Sequence, residues 1–198
     1  MSSIIVFGGT FSPPHLGHQL MIRQVLQNYL ADEVWLLPVG QHSFAKLAPY
    51  HLERLEMLEI LRQDLAIVDA TLSSKIKINS YELDRAEESQ TYASLVAIAK
   101  QYPEHKFSFL IGSDNLANFD KWHHYQEMLS QFPFYVYPRA DVEMAPLYQG
   151  MTALSQMPQS RVSSTRVRQA LANGEDLTDL LSPAMIEYLE QHPYMYER

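Results

Sequence analysis

Residues 6–18 of the chain read Val-Phe-Gly-Gly-Thr-Phe-Ser-Pro-Pro-His-Leu-Gly-His. The apolar run from Ile4 to Phe7 is short enough for a buried strand, and it ends at two glycines before an amphipathic pattern opens at Gly17. The stretch therefore predicts a strand, a loop and the start of a helix. In an open parallel sheet, ligands bind beyond the carboxyl ends of the strands, where helix N-termini present unpaired backbone N–H groups. We expect a phosphate group to bind here.

His15 and His18 lie three residues apart in this stretch. If the helix begins near them, both side chains can project from one side toward the same anion. Neutral or protonated, each ring offers N–H donors to phosphate oxygens. A bare pair at this spacing more often represents two polar residues at a helix start, or two metal ligands. The preceding strand and the two glycines favour the phosphate interpretation.

The composition indicates one globular domain. The 198 residues are 46% hydrophobic, enough for a full core, so residues 1–198 are expected to form one domain with a helical portion at about 162–198. The chain has no cysteine, which excludes disulfides and thiolate metal sites and fits a reducing cytosol. The N-terminus enters a strand without an apolar leader, and no apolar run approaches the roughly 18 residues of a membrane helix. We expect a soluble, cytoplasmic protein without a membrane partner.

The charge distribution points to a small anionic substrate. The formal net charge of −8 argues against a nucleic-acid binder, which would need a basic surface. A polyanionic substrate would require a local basic patch, and residues 144–174 hold no acidic residue but contain Arg161, Arg166 and Arg168. The alternative interpretation of this cluster is a solvated basic face.

Apolar runs that alternate with amphipathic segments predict an α/β fold. Runs typical of buried strands occupy 4–7, 33–39, 107–111 and 134–137, and shorter strands are expected at 67–68, 76–78 and 151–154. Helical patterns begin at 17 and occupy 51–61, 91–101, 122–132, 166–172 and 183–191. The aliphatic positions of the helix 51–61, including Leu52, are expected to face the core. This order predicts a Rossmann-like, doubly wound, mostly parallel sheet.

Two more segments belong to the expected ligand edge or to helix ends. Gly112-Ser113-Asp114 follows the strand 107–111, and polar residues at the carboxyl end of a strand lie at the ligand edge of a parallel sheet. The segments Val162-Ser163-Ser164-Thr165 and Asn173-Gly174 are typical of an N-cap and a C-cap around a two-turn helix.

The segment GGTFSPPHLGH resembles the TxxxxHxGH signature of the nucleotidyltransferase family that shares its fold with class I aminoacyl-tRNA synthetases. Ser163-Ser164-Thr165-Arg166-Val167-Arg168 is similar to the ISSTxxR motif of one branch, the nicotinate mononucleotide adenylyltransferases of NAD synthesis. Gly112, Asp114 and Trp122 match its GxD followed by tryptophan, and Arg54 with Met57 matches its RxxM helix. The tail 183–196 also resembles the family's ending, so the resemblance covers essentially the whole chain.

Two segments depart from the family pattern. The usual proline-histidine-lysine run after the second strand is replaced by Gln41-His42-Ser43-Phe44-Ala45-Lys46. The usual serine-tyrosine-threonine before the middle helix is Ser89-Gln90-Thr91. The resemblance places both where the base and phosphate of the mononucleotide would be held, so they bear on pyridine specificity more than on the reaction.

The resemblance implies attack by a substrate phosphate on the α-phosphorus of ATP, with Mg²⁺ bound to the phosphates and water and no metal ligand from the protein. His15, His18 and Arg168 would be catalytic, with His18 at the α-phosphate. The implied ATP-binding residues are Gly8, Gly9, Thr10, Phe11, His15, Gly17, His18, Gly112, Asp114, Arg139, Ser163, Ser164, Thr165 and Arg168. The implied residues for the pyridine mononucleotide are Lys46, Thr91 and Trp122.

Ordinary structural roles remain open for several of these residues. Asp114 and Thr91 could cap helices, Trp122 could pack in the core and Arg139 could be solvated. We treat four other histidines as surface residues: His42, His51, His123 and His124. The functional alternatives are a pantetheine-phosphate or glycerol-phosphate nucleotidyltransferase, or a nucleotide-binding module without catalysis. Pyrophosphate release from ATP with a panel of acceptor phosphates would distinguish them.

Overall fold

The computed structural model describes residues 1–40, 51–85 and 90–195. Six strands are present in these ranges: β1 (Ser3–Gly9), β2 (Glu33–Pro38), β3 (Ile76–Ile78), β4 (Lys106–Gly112), β5 (Phe134–Tyr137) and β6 (Met151–Ala153). The α-helices are α1 (Leu16–Gln27), α2 (His51–Val68), α3 (Ala70–Ser73), α4 (Thr91–Gln101), α5 (Tyr125–Gln131), α6 (Ser164–Asn173) and α7 (Pro183–Gln191). Two 3₁₀ helices span Ser113–Lys121 and Pro193–Met195.

The strands form one parallel sheet in the order β3-β2-β1-β4-β5-β6. The order runs outward from β1 in both directions, with β3 and β6 at the edges, which confirms the predicted Rossmann-like, doubly wound sheet. The strand order reverses between β1 and β4. The carboxyl ends of these two strands, Gly8-Gly9 and Gly112, therefore flank the crevice where such sheets bind their ligands.

Both faces of the sheet are covered by helices, and the residues of β1 alternate between the two faces. Ile5 and Phe7 pack in a core with α1 and α2, whereas Ile4 and Val6 pack in a second core with α4 and α5. Because strands covered on both faces need no polar side, they appear in the sequence as continuous apolar runs. This explains why 4–7, 33–39, 107–111 and 134–137 were correctly predicted as strands.

Two of the predicted elements differ from the structure. The predicted short strand 67–68 is wrong, because Ile67 is 84% exposed at the end of α2, which continues through Leu61 and Leu65 on the core side. The predicted helix 122–132 is shorter, since α5 covers Tyr125–Gln131 and the preceding polar segment forms the 3₁₀ helix Ser113–Lys121. That segment has only two large apolar residues, Leu116 and Phe119, which are too few to mark a helical period in the sequence.

The C-terminal helices pack against α2 through a third core. Met57 of α2 contacts this cluster, whose other members include Val167 of α6 and Met185 and Leu189 of α7. The predicted caps of α6 are confirmed, with Ser163 at the N-cap and Gly174 at the C-cap. This packing brings the N-terminus of α6 to the carboxyl edge of the sheet. Within the described residues, no helix combines the length and apolar character needed to cross a bilayer.

Candidate active site

A cavity of about 680 Å³ opens at the carboxyl edge of the sheet, beyond the ends of β1 and β4, where the strand order reverses. Its volume lies in the range of pockets that bind small molecules and cofactors. Fourteen residues singled out from the sequence line it: Gly8, Gly9, Thr10, His15, His18, Thr91, Gly112, Asp114, Trp122, Arg139, Ser163, Ser164, Thr165 and Arg168. The tertiary structure thus brings together residues from five separate parts of the chain.

The two histidines form a buried, stacked pair at the start of α1. His15 is 2% exposed and His18 is 8% exposed, and their ring centroids lie 3.7 Å apart. The backbone N–H of His15 donates a hydrogen bond of 3.1 Å to Nδ1 of His18. Nδ1 of His18 is therefore an acceptor, so the proton of the neutral ring lies on Nε2. His18 can donate one hydrogen bond through Nε2.

Burial keeps both rings neutral near pH 7. Desolvation by burial, assisted by the charge of Arg139, lowers the pKa of His15 to about 3. Burial also lowers the pKa of His18 well below its usual value, with further contributions from His15 and Arg139. Both ring nitrogens of His15 are buried without a hydrogen-bond partner among the described residues. A buried N–H without a partner is costly, and an anion in the cavity would satisfy it.

Phe11 and Gly17, which the resemblance assigned to ATP, lie behind the wall that the histidines form. Phe11 is fully buried, and its ring centroid is 5.0 Å from that of His18. A Cβ on Gly17 would lie 3.0 Å from the His15 ring and 2.9 Å from Oγ of Ser160, closer than side chains normally approach. In this structure Phe11 packs against the His18 ring, and Gly17 leaves the space that the His15 ring occupies.

Side chains of α6 tie down the loop between β1 and α1. Arg168 donates through Nη1 to the carbonyl of Ser12 at 2.7 Å, and Ser164 donates through Oγ to the carbonyl of Pro13 at 3.0 Å. The resemblance places Ser164 among the ATP-binding residues, but its hydroxyl proton is donated within the protein. The backbone N–H groups at the start of α6 are the donors that a helix leaves unpaired in its first turn.

The predicted basic patch contributes one arginine to the cavity. Arg161 lies 3.4 Å from a carboxylate oxygen of Asp141, and Arg166 pairs with Glu175, so both charges are balanced outside the cavity. Arg168 lines the cavity and is exposed. We call His15, His18, Arg168 and the segment 163–165 the histidine end of the cavity.

An ion pair joins Asp114, which follows β4, to Arg139, which follows β5. Nε of Arg139 lies 3.6 Å from Oδ1 of Asp114, and Nη1 donates to the carbonyl of Val162 at 3.2 Å. A Cβ on Gly112 would collide with Oδ1 of Asp114 and touch Arg139, so this close approach requires glycine. The N-cap of the 3₁₀ helix is Gly112, which makes the capping alternative for Asp114 wrong. These bonds also make the solvated alternative for Arg139 wrong.

Trp122 and Thr91 line the cavity on the side of the second core, whereas His18 contacts Phe7 and Phe11 of the first core, on the other face of the sheet. Trp122 packs against Phe119, with ring centroids 5.1 Å apart, and also lines the cavity, so core packing describes it only in part. Thr91 is the first residue of α4, and the N-cap is Gln90, which also lines the cavity. The capping alternative for Thr91 is therefore wrong. Lys46 lies outside the described residues.

Comparisons with known proteins identify the family. The profile of the cytidylyltransferase-like family matches residues 6–170. A Halalkalibacterium halodurans protein, named probable nicotinate-nucleotide adenylyltransferase, is 31% identical over 202 residues, which cover 100% of this chain and 90% of the relative. A Bacillus pumilus protein with the same name is 31% identical over 203 residues, covering all of both chains. The chain belongs to the nicotinate-nucleotide adenylyltransferase family.

A solved structure agrees with this assignment at the level of the fold. Plasmodium falciparum nicotinic acid mononucleotide adenylyltransferase, complexed with NaAD, superposes on this family member with a TM-score of 0.81. The match covers 100% of this chain and 99% of the other at 19% identity. The nucleotidyltransferase fold expected from the resemblance is confirmed.

Sequence reasoning missed a polar face beside Trp122 in this family member. Asn115, Asn118 and Lys121 line the cavity at intervals of three, which is one turn of a 3₁₀ helix, and Nζ of Lys121 donates to Oδ1 of Asn118 at 2.7 Å. The three-residue spacing was the available signal, but it is informative only once the segment is known to be a 3₁₀ helix. We call Thr91, Trp122, Asn118 and Lys121 the tryptophan end of the cavity.

Two other cavity residues received no functional role from the sequence. Glu82 is buried and lines the cavity. His123 is exposed, as expected, but it also lines the cavity next to Trp122. His51 and His124 are exposed, and His42 lies outside the described residues.

Proposed function

We propose that this family member transfers the adenylyl group of ATP to nicotinate mononucleotide, forming the dinucleotide of NAD biosynthesis and releasing pyrophosphate. The observation that carries the proposal is one cavity with two chemically different ends. The histidine end offers neutral N–H donors, an arginine and two helix N-termini, which suit a triphosphate. The tryptophan end offers an aromatic face and a helix start, which suit a pyridine ring with an anionic substituent.

In the proposed reaction, an oxygen of the acceptor's phosphate attacks the α-phosphorus of ATP. A new P–O bond forms, the bond between the α-phosphorus and the bridging oxygen breaks, and pyrophosphate leaves with the electron pair. The step needs no nucleophile from the protein, so catalysis rests on alignment and on stabilisation of charge at the transferred phosphorus. Nε2 of His18 is the donor assigned to the α-phosphate.

The remaining donors at the histidine end are assigned to the β- and γ-phosphates. They are the ring of His15, the residue Thr10, the first-turn N–H groups of α6 and the guanidinium of Arg168. Mg²⁺ would be held mainly by the phosphates and water, because it prefers oxygen ligands and keeps several of its waters. The oxygen atoms of Asp114 and Asn115 on the cavity wall suit such a hydrated ion. When bound, Mg²⁺ neutralises part of the phosphate charge.

At the tryptophan end, Trp122 is assigned to stack on the pyridine ring. Thr91 and the N-terminus of α4 would donate hydrogen bonds to the carboxylate, and the cation of Lys121 lies on the same side of the cavity. Hydrogen bonds to a charged acceptor are about twice as strong as neutral ones, which favours nicotinate over nicotinamide. Gln90 beside Thr91 has both a donor and an acceptor, so it could pair with an amide and reduce the preference.

The charge and composition also suit this assignment. A net charge of −8 is compatible with small anionic substrates that bind at a local basic site, rather than with nucleic acid. The cysteine-free sequence suits a reducing cytoplasm, where we place the reaction.

Pyrophosphate release from ATP, measured with four acceptors, tests the proposal. The acceptors are nicotinate mononucleotide, nicotinamide mononucleotide, phosphopantetheine and glycerol 3-phosphate. We expect the highest kcat/KM with nicotinate mononucleotide and a dinucleotide product by mass spectrometry. Faster release with phosphopantetheine or glycerol 3-phosphate would contradict the assignment. ATP binding without turnover on any acceptor would instead indicate a nucleotide-binding module.

A further inference from the structure

Helix α2 buries a charged residue and exposes an aliphatic residue that was expected to face the core. The sequence pattern assigned Leu52 to the core, but Leu52 is 73% exposed, whereas Arg54 is 0% exposed. Burying a charged group costs several kcal/mol in desolvation. A guanidinium is therefore an expensive way to fill a core position, and packing alone does not account for it.

The contacts of Arg54 place it directly beneath the cavity. Its Nη1 lies 2.5 Å from the carbonyl oxygen of Val39 and 3.4 Å from that of Thr10. These carbonyls follow β2 and β1, and the N–H of Val39 donates to the carbonyl of Gly9 at 2.9 Å. Thr10 and Val39 both line the cavity. One buried side chain therefore joins the ends of two neighbouring strands at the cavity wall.

The loop after β1 is consequently held from two directions. From α2, Arg54 donates a hydrogen bond to the carbonyl of Thr10. From α6, Arg168 and Ser164 donate to the carbonyls of Ser12 and Pro13. Because these carbonyl oxygens accept hydrogen bonds within the protein, they do not present their partial negative charge to the cavity. This favours an anion there.

The hydrogen bonds of Arg54 are buried, whereas the side chain of Arg168 is exposed. Salt therefore screens the effect of Arg54 much less than the effect of Arg168. The two arginines are therefore distinguishable by the salt dependence of their effects.

We propose that Arg54 is a positioning residue for the phosphates of ATP. It fixes the loop after β1 and the end of β2 through its hydrogen bonds to the carbonyls of Thr10 and Val39, without touching the triphosphate. The inference rests on the proposed binding of ATP at the histidine end, and it extends that proposal to a residue behind the cavity wall.

The test compares ATP with adenosine, which lacks the phosphates. Binding of both is measured by calorimetry, with adenosine read by competition, in wild type and in Arg54→Met. We expect ATP affinity to fall about tenfold, or about 1.4 kcal/mol, with adenosine affinity changed less than about twofold. The ATP loss should persist between about 0.05 M and about 0.5 M salt. Equal losses for ATP and adenosine, or an unchanged ATP affinity, would overturn the proposal.

Arg62→Met is the matched control, because Arg62 lies on the same helix and bonds to Glu59 and Ser73 instead. It should leave both affinities unchanged. If Arg54→Met fails to fold, Arg54→Lys decides, because it keeps the charge but loses the planar fork of the guanidinium. We expect ATP affinity within about threefold of wild type and kcat about tenfold lower. Wild-type kcat in Arg54→Lys would overturn the positioning role.

The outcomes separate this inference from the proposed function. If wild type binds ATP but forms no dinucleotide with any acceptor, the proposed function fails. The comparison of ATP with adenosine needs no acceptor, so it still decides whether Arg54 serves the phosphates.

Discussion

The two ends of the cavity are built in different ways. At the histidine end, His15 and His18 are buried and stacked, and the loop before them is tied by side chains from α2 and α6. At the tryptophan end, Asn118 and Lys121 are exposed, and Thr91 and Trp122 are half-buried. The first end is held in one geometry before any ligand arrives, whereas the second presents its polar groups to solvent.

Because of this difference, we expect the histidine end to act mainly on the transition state and the tryptophan end mainly on acceptor binding. Stabilising charge in a transition state requires donors that need not reorganise, and buried, tied residues meet that requirement. Recognition of a ring and its substituent tolerates exposed groups, because it affects affinity more than rate. Substitutions at the histidine end should therefore lower turnover or phosphate binding, and those at the tryptophan end should change acceptor binding.

The largest effect is expected for His18→Ala. Turnover should fall about 10²-fold or more with little change in ATP affinity, because a donor that engages mainly in the transition state affects the rate. Steady-state kinetics and ATP titration measure the two quantities. His105→Ala is the control, since that ring packs against Trp35 away from the cavity. Near-normal turnover in His18→Ala would remove this residue from the mechanism.

The second-largest effect is expected in the free energy of unfolding, which should depend on pH through His15. The folded state holds His15 with its pKa lowered to about 3 by burial, while the unfolded chain binds its proton near pH 6.5. The contribution of the neutral ring is therefore complete above pH 6.5 and is lost progressively as the pH falls toward 3. By pH 5 the loss should be about 2 kcal/mol for this histidine.

Urea unfolding of wild type and His15→Gln at pH 7, 6 and 5 measures that loss. The variant should lose less stability on acidification than wild type, by about 2 kcal/mol at pH 5. Most carboxylates of the unfolded chain are still ionised at pH 5, so the histidines dominate this window. Parallel curves for the two proteins would show that His15 is not held neutral.

The third effect is expected for Arg168→Ala. ATP binding should weaken about tenfold at low salt and less at high salt, because the contact is partly Coulombic and the side chain is exposed. Arg166→Ala, two residues earlier and paired with Glu175, should leave ATP binding unchanged. A loss of equal size at all salt concentrations would mean that Arg168 acts by holding the carbonyl of Ser12 rather than by its charge.

The smallest effect is expected at the tryptophan end. Trp122→Ala should raise the KM for nicotinate mononucleotide about fivefold, which corresponds to the roughly 1 kcal/mol of an aromatic stack. Tyr125→Ala is the control, because Tyr125 packs against Phe119 and Tyr148 outside the cavity. An unaffected KM in Trp122→Ala would refute stacking. Equal kcat/KM for the two pyridine mononucleotides in wild type would refute the nicotinate preference.

Much of the fold could be predicted because its signals are local. The central strands are apolar runs, since both sheet faces are covered, and the caps of α6 are encoded by Ser163 and Gly174. The 3₁₀ helix Ser113–Lys121 could not be predicted, because too few of its residues are apolar to show a helical period. The face formed by Asn115, Asn118 and Lys121 was missed for the same reason.

The sequence by itself determined the strand, loop and histidines of residues 6–18, because these residues are contiguous and their geometry is set by short-range rules. Only the tertiary structure decided that His15 and His18 are neutral, that Arg54 rather than Leu52 is buried, and that Arg168 is the arginine of 144–174 that lines the cavity. The physical reason is that burial and charge balance depend on what packs against a residue. Those neighbours come from distant parts of the chain, where spacing along the sequence carries no information about contact.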